Sequence, residues 1–173
     1  MRRADRNLIF LAIAAVALAA GVCAQIHHER ELLRTRRLTE INPATVQQVT
    51  VSCATCATRH FQRSADGWNM LKPFALPAST DAVARLIRVA QSPVHEWLSM
   101  KEYDLSRLGL DPAQITLTLD DTIIDVGNED PIDHDRYMRV GNKLARVPDR
   151  FSARLLESPR SELADPAAAP AHD

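Results

Sequence analysis

The spacing of hydrophobic residues changes several times along this chain, and each spacing predicts a different element. In residues 45–52 (TVQQVTVS) apolar and polar residues alternate, which is typical of a strand with one buried face. The strand pattern resumes in residues 59–71 (RHFQRSADGWNML), which contain a turn composition at Ala65-Asp66-Gly67. Together these stretches predict a β-hairpin with Cys53 and Cys56 at its first bend.

Residues 77–92 (PASTDAVARLIRVAQS) switch to the spacing of an amphipathic helix. Ser79 or Thr80 is suited to cap it, because their hydroxyl oxygens accept hydrogen bonds from the first free backbone N–H groups of a helix. The residues predicted to share the buried face are Val83, Leu86, Ile87 and Ala90.

The rest of the chain returns mostly to strand patterns. The predicted elements are a short strand (93–99), a helical turn (101–112), strands with a bend between them (114–129), a hairpin (136–147) and a short helix (149–158). We therefore expect an α+β fold over residues 38–156, built from antiparallel β-hairpins with two or three short helices. The Ala/Pro-rich tail, residues 157–173, has no periodicity and is predicted to be disordered.

An apolar segment precedes this domain. From Leu8 to Ala24 every residue is apolar or small, close to the ~20 residues needed to cross a bilayer. A removable signal peptide is the alternative, since three arginines precede the segment, but the run is longer than the ~7 to 15 residues of a signal core. We expect residues 1–37 to comprise a cytoplasmic N-terminus, a transmembrane helix and a stalk. This single-pass arrangement places the following domain in the periplasm, at the bacterial inner membrane.

Composition excludes some functions. Charged residues make up 25% of the 173 residues and the formal net charge is −1, so no large field of one sign is available to bind nucleic acid. Aromatic residues make up only 5%, and there are five glycines, which argues against a base-stacking surface or a glycine-rich phosphate loop.

The pair Cys53-Ala54-Thr55-Cys56 is the main candidate for chemistry. Haem attachment requires a histidine directly after the second cysteine, and residue 57 is alanine. A thioredoxin-like catalyst requires a helix N-terminus at its first cysteine, whereas strand patterns flank both sides here. A metal site is a further alternative, because His60 follows at Cys-x2-Cys-x3-His spacing and His95 or His134 could supply a fourth ligand.

A disulfide between Cys53 and Cys56 is the interpretation that requires the fewest additional residues. The ends of a four-residue turn lie within about 7 Å of each other, which overlaps the Cα separation that a disulfide tolerates. An oxidising periplasm permits the bond. We therefore predict a hairpin disulfide and no bound metal, with Cys53, Cys56 and His60 as the alternative metal ligands.

Other polar clusters favour structural roles. Residues 130–137 (DPIDHDRY) are rich in carboxylates but contain a proline and precede a strand, so a solvated turn is predicted rather than an acid–base site. Trp68 and Trp97 are expected to be buried against the amphipathic helix rather than to form a binding surface. No serine lies in a nucleophile-elbow pattern, so no catalytic residue is assigned.

Several segments resemble a known family. In chain order they are LTEINPATVQQVTV, DGWNMLKP, TDAVARLIRVAQSPVHEWL, YDLSRLGLDP and IIDVGNEDPIDHDRYMRVGNKLARVPDRF. This order resembles the bacterial envelope family catalogued as domain of unknown function 4340, over about residues 38–156. The most specific pieces are Gly67-Trp68, residues 108–112, and Tyr137 with Val140-Gly141. Ala113, where a second proline is common, and the Cys53–Cys56 loop depart from that pattern.

The resemblance implies a membrane-anchored α+β module without an established activity, whose relatives are often associated with ABC-type export components. It supplies no catalytic residues and no cofactor. We therefore expect a non-enzymatic envelope protein that contacts the membrane and a protein partner, possessing an interaction domain in the periplasm. The alternative is a periplasmic thiol or metal-binding protein that uses the cysteine pair.

Overall fold

A computed structural model describes residues 37–165, together with Leu18 and Gly21. The chain divides into two units between residues 36 and 37. The apolar segment from which we predicted a transmembrane helix lies outside the described residues, except for those two positions. Among the residues that are described, no helix has the length and apolar character needed to cross a membrane.

Residues 37–165 are organised around one antiparallel sheet of nine strands, in the order β4-β3-β2-β1-β6-β7-β8-β9-β5. The strands are β1 (Gln48–Cys53), β2 (Arg59–Ser64), β3 (Gly67–Lys72), β4 (Leu76–Ala78), β5 (Glu96–Leu98), β6 (Ile115–Leu119), β7 (Thr122–Glu129), β8 (Asp135–Val140) and β9 (Lys143–Pro148). Each neighbouring pair is antiparallel, as hairpin connections allow.

The expected α+β class is wrong, because the described domain is mainly antiparallel β-sheet. Its two α-helices are short: α1 spans Thr80–Ile87 and α2 spans Ser152–Leu155. Two 3-10 turns, Arg88–Gln91 and Pro159–Glu162, add little to the helical content. The separate hairpins become one sheet because β1 pairs with β6, for example at Val51 and Leu117.

The hydrophobic core covers one face of the sheet. Strand alternation places Val49 and Val51 of β1 on this face, and both are completely buried. Helix α1 packs its predicted apolar residues against them, with Val83 and Leu86 buried. Ser79 caps α1 by accepting a hydrogen bond at 3.3 Å from the backbone N–H of Ala82, which confirms one of the two expected caps.

The opposite face of the sheet is covered in part by the segment between β5 and β6. Residues 101–112 form successive turns rather than the expected helical turn, and Leu110 within them is completely buried. The backbone N–H of Asn128 donates to the carbonyl of Leu108 at 2.7 Å. This close approach depends on Gly127, because a Cβ there would lie 2.2 Å from the Leu108 carbonyl oxygen.

The first residues of the tail that we expected to be disordered, residues 157–165, are instead structured. Residues 157–165 are described, and they include the turn Pro159–Glu162. Leu163 forms an isolated antiparallel bridge with Ala78 of the edge strand β4, and the backbone N–H of Ala164 donates to the Pro77 carbonyl at 3.0 Å. These contacts protect the backbone groups of an edge strand that would otherwise be open to pairing. Residues 166–173 lie outside the described part.

Candidate functional site

The cysteine pair lies at the bend between β1 and β2, as the sequence indicates. The sulfur atoms of Cys53 and Cys56 are 2.01 Å apart, which is bonding distance, and their Cα atoms are 5.4 Å apart. Cys53 ends β1 and packs against the core, while Ala54 and Thr55 between the cysteines are exposed. The pair therefore joins the end of a core strand to the surface loop that follows it.

His60 is not brought together with the cysteines. In the β1–β2 register it is paired with Thr50, and its Nδ1 lies 2.8 Å from the Thr50 hydroxyl oxygen. Successive side chains of a strand point to opposite faces, so Thr50 and His60 lie on the face opposite to Val51 and Cys53. Cys53 and His60, two of the three alternative metal ligands, therefore lie on opposite faces of the sheet.

The other two histidines considered as ligands are paired with carboxylates far along the chain from the cysteines. His95 Nδ1 lies 2.7 Å from Asp135 Oδ2, and His134 Nδ1 lies 2.6 Å from Glu129 Oε1. Across the described residues, no group of three or more His, Cys, Asp or Glu side chains is arranged to hold a metal ion.

The Thr50–His60 contact has the spacing of a hydroxyl nucleophile and a base. Catalysis of that type also requires a group that orients the histidine ring from its other nitrogen. Within the part of the chain that is described, the only hydrogen-bond partner of the His60 ring is Thr50. This contact is therefore interpreted as a cross-strand hydrogen bond that stabilises the hairpin.

A buried ion pair lies beside the cysteine loop, and sequence reasoning missed it. Arg59, the first residue of β2, places its Nη1 2.5 Å from Oε1 of Glu162, and its Nη2 donates to the Leu155 carbonyl. Burial raises the pKa of Glu162 to about 7, and the nearby guanidinium of Arg59 only partly opposes the shift. The second carboxylate oxygen of Glu162 is buried without a hydrogen-bond partner in the described structure.

The carboxylate-rich stretch 130–137 forms a turn, but part of it is buried rather than solvated. The Tyr137 hydroxyl donates to Asp130 Oδ2 at 2.6 Å, and the backbone N–H of Ile132 donates to Oδ1 at 2.9 Å. These hydrogen bonds lower the pKa of Asp130 to about 2, the Tyr137 hydroxyl being the largest cause. Burial, assisted by the Asp130 carboxylate, raises the pKa of Tyr137 to about 12.

Arg146 connects this turn to the edge strand β5. Its Nη1 lies 3.0 Å from Asp133 Oδ2 and its Nη2 lies 2.7 Å from Glu96 Oε2. In addition, Asp130 Oδ2 lies 3.8 Å from Nη1, so three carboxylates surround one guanidinium, and these ion pairs fix the turn against β9 and β5.

The two tryptophans differ in their exposure to solvent. Trp68 is buried, as expected, whereas Trp97 is 39% exposed, so the expectation of its burial is wrong. Trp97 lies on β5, an edge strand of three residues, and has Lys143 Nζ 5.6 Å from its ring centroid. An edge strand has a neighbour on one side only, which leaves its side chains less covered.

An open groove of about 320 Å³ lies between α1 and the β2–β3 hairpin; we refer to it as the arginine groove. Its lining residues are Pro43, Ala44, Arg63, Trp68, Thr80, Ala84, Ile87 and Arg88. The lining therefore combines apolar surface with two guanidinium groups and contains no carboxylate. Sequence reasoning did not identify it, because its residues come from three separate segments.

Comparisons with known proteins add no functional information. The chain matches no protein-family model, no curated protein and no solved structure. The family resemblance described above therefore stays a prediction.

Proposed function

We propose that this chain is a non-catalytic interaction protein of the bacterial envelope, with its sheet domain in the periplasm at the inner membrane. The observation that carries the proposal is the Cys53–Cys56 pair at bonding distance, since such bonds persist in oxidising compartments. The hydrophobic leader of the sequence supports the same compartment. The partner is an envelope component, for which a member of an ABC-type export assembly is the leading candidate.

The ion-pair networks around Arg146 and Arg59 support a structural role for these charged groups. In each network the charged side chains are paired mainly with one another, so most of their bonding capacity stabilises the fold. The arginine groove, by contrast, offers an open surface. Proteins whose polar groups are exposed in a concave surface are suited to bind another molecule.

To test this proposal, the full-length chain is expressed in a bacterium and the membrane and soluble fractions are separated. Each fraction is treated with a thiol-alkylating reagent before and after reduction. We expect the chain in the membrane fraction, with Cys53 and Cys56 alkylated only after reduction. Cys53→Ser/Cys56→Ser is the control that identifies their signal. Native electrophoresis of the solubilised membranes should show the chain in a complex larger than itself.

Recovery of the chain in the soluble cytosol with both thiols reactive would refute the proposed compartment. Failure to find any larger complex would refute the interaction role. The same preparation tests the alternative thiol or metal function: stoichiometric zinc or copper uptake that is lost in His60→Ala would favour it over the proposal.

A further inference from the structure

The arginine groove carries positive charge that no described carboxylate neutralises through an ion pair. Arg63 and Arg88 are both exposed, and neither forms an ion pair with any described carboxylate. The nearest acidic residues along the chain, Asp66 and Asp81, do not line the groove. In a chain of net charge −1, two unneutralised guanidiniums that line the same groove form a local positive site.

Arg63 is held in an orientation suited to binding. Its Nη1 donates to the Ala44 carbonyl at 2.7 Å, and its guanidinium carbon lies 5.9 Å from the centroid of the Trp68 ring. These two contacts reduce the rotational freedom of the side chain before a ligand arrives. A guanidinium has five N–H donors, so the bond to Ala44 leaves others for a carboxylate.

The opposite wall of the groove comes from one side of α1. Thr80, Ala84 and Arg88 are spaced by four residues, so they are stacked along the helix surface. Ala84 is small and leaves room between the helix and the hairpin, while Ile87 and Pro43 supply apolar contact. The groove thus combines two positive side chains with an apolar lining.

We propose that the arginine groove binds a short acidic peptide segment of a partner protein, in which a carboxylate is next to an apolar side chain. The carboxylate is recognised by Arg63 and Arg88, because guanidinium groups bind carboxylates through paired N–H donors. The apolar side chain lies against Ile87, Pro43 and the exposed part of Trp68. A volume of about 320 Å³ accommodates only a few residues, which favours a short segment.

This inference rests on the proposed interaction role, and it specifies the surface and the partner chemistry. A free inorganic anion would use the arginines alone and leave the apolar lining uncovered. A lipid surface would require a broad positive face, whereas the groove presents only two cations, Arg63 and Arg88. The peptide accounts for both parts of the lining.

The test uses the purified full-length chain carrying Trp97→Phe, so that Trp68 is the only tryptophan and reports on the groove. The probe is acetyl-Leu-Asp-Leu-amide, and acetyl-Leu-Asn-Leu-amide is its matched uncharged control. We expect the aspartate peptide to change Trp68 emission and to bind at least about tenfold more tightly than the asparagine peptide, since a hydrogen bond to a charged group is that strong. A higher salt concentration should weaken the binding of the aspartate peptide but not that of the asparagine peptide.

Arg88→Ala should weaken binding of the aspartate peptide at least about tenfold. The side chain of Arg88 is exposed and has no hydrogen-bond or ion-pair partner among the described residues, so we expect the substitution to leave the fold intact. Arg150→Ala is the matched control, because Arg150 is also exposed and lies outside the groove. Anionic phosphatidylglycerol vesicles form a separate arm of the titration.

Equal binding of the two peptides, or unchanged binding in Arg88→Ala, would overturn the inference. So would vesicle binding that depends on Arg88 without any peptide selectivity, since this would identify a lipid surface as the ligand. Native electrophoresis with Arg88→Glu separates this inference from the proposed function. A membrane complex that is still formed by the Arg88→Glu variant contradicts only the proposed binding of a peptide in the arginine groove. The lack of a complex in the unmodified chain contradicts the interaction role.

Discussion

Oε1 of Glu162 lies 2.5 Å from Nη1 of Arg59, and the two side chains are only 2% and 1% exposed. The pair joins β2, immediately after the cysteine loop, to the turn Pro159–Glu162. The guanidinium also donates to the carbonyl of Leu155 in α2. One buried arginine therefore connects the sheet, the last helix and the C-terminal segment.

Removing one member of this pair should destabilise the domain strongly. Glu162→Ala leaves the Arg59 charge buried without its counterion, so we expect a loss of about 3 to 5 kcal/mol in the free energy of unfolding. Arg59→Met/Glu162→Leu removes both charges together and should cost clearly less. Urea denaturation at pH 8, above the pKa of about 7 for Glu162, measures each value by circular dichroism. A double variant less stable than Glu162→Ala would contradict this account.

The same carboxyl group predicts a pH dependence of stability. Burial raises the pKa of Glu162 from 4.5 in the unfolded chain to about 7 in the folded chain, so the folded state binds this proton more tightly. The unfolded state therefore releases the proton first as pH increases, and the free energy of unfolding should fall between about pH 4.5 and pH 7. Glu162→Gln should lack this component of the slope. Identical slopes in the two proteins would show that Glu162 titrates normally.

Tyr137 should resist ionisation because of burial and its hydrogen bond to Asp130. Its pKa is about 12, so at pH 11 only about a tenth of the phenol is ionised. Tyr103→Phe leaves Tyr137 as the only tyrosine, and absorbance at alkaline pH then follows it alone while circular dichroism verifies the fold. Asp130→Asn in that background should lower the pKa, because the negative charge that opposes phenolate formation is removed. An unchanged titration would rule out the contribution of Asp130.

The Cys53–Cys56 bond should contribute little to stability. Closing a loop this short stabilises by about 2 kcal/mol in the chain-entropy model. A small domain is typically stable by about 5 to 15 kcal/mol, so Cys53→Ser/Cys56→Ser should remain folded with a modestly lower urea midpoint. Unfolding of the variant at room temperature would show instead that the bond is essential to the domain.

Gly127 should not tolerate a side chain. A Cβ there would lie 2.2 Å from the carbonyl oxygen of Leu108 and would force the segment over β7 away from the sheet. We expect Gly127→Ala to lower the free energy of unfolding by about 1 to 3 kcal/mol. Ile123→Val is the control, since Ile123 lies on the same face of β7 but is 53% exposed. Thermal denaturation of both variants provides the comparison, and equal melting temperatures would refute the packing argument.

Local sequence patterns predicted much of the secondary structure. The alternation in residues 45–52 predicted β1, and the hydroxyl of Ser79 was recognised as a helix cap. The hairpin over residues 136–147 was also predicted, and its turn at Gly141-Asn142 joins β8 to β9. These signals succeed because each depends on residues within a few positions of one another.

The fold class and the groove could not be predicted in the same way. Whether Val51 pairs with Leu117 is decided across 66 positions of the chain, and neither segment alone carries that information. Glu162 was assigned to a disordered tail, because its segment has no periodicity and its partner Arg59 is distant in sequence. The arginine groove likewise appears only when α1, the hairpin and residues 43–44 are packed together.

The amino-acid sequence alone determined where α1 and most of the strands form, although it missed β4, and it placed the two cysteines at a bend. Periodicity, capping and turn chemistry act over short distances and can be recognised without a structure. The tertiary structure decided that the hairpins join into one nine-stranded sheet, that His60 and Cys53 lie on opposite faces, and that Arg59 is neutralised by Glu162. Those outcomes depend on contacts between distant segments, whose free energies compete only when the whole chain is packed.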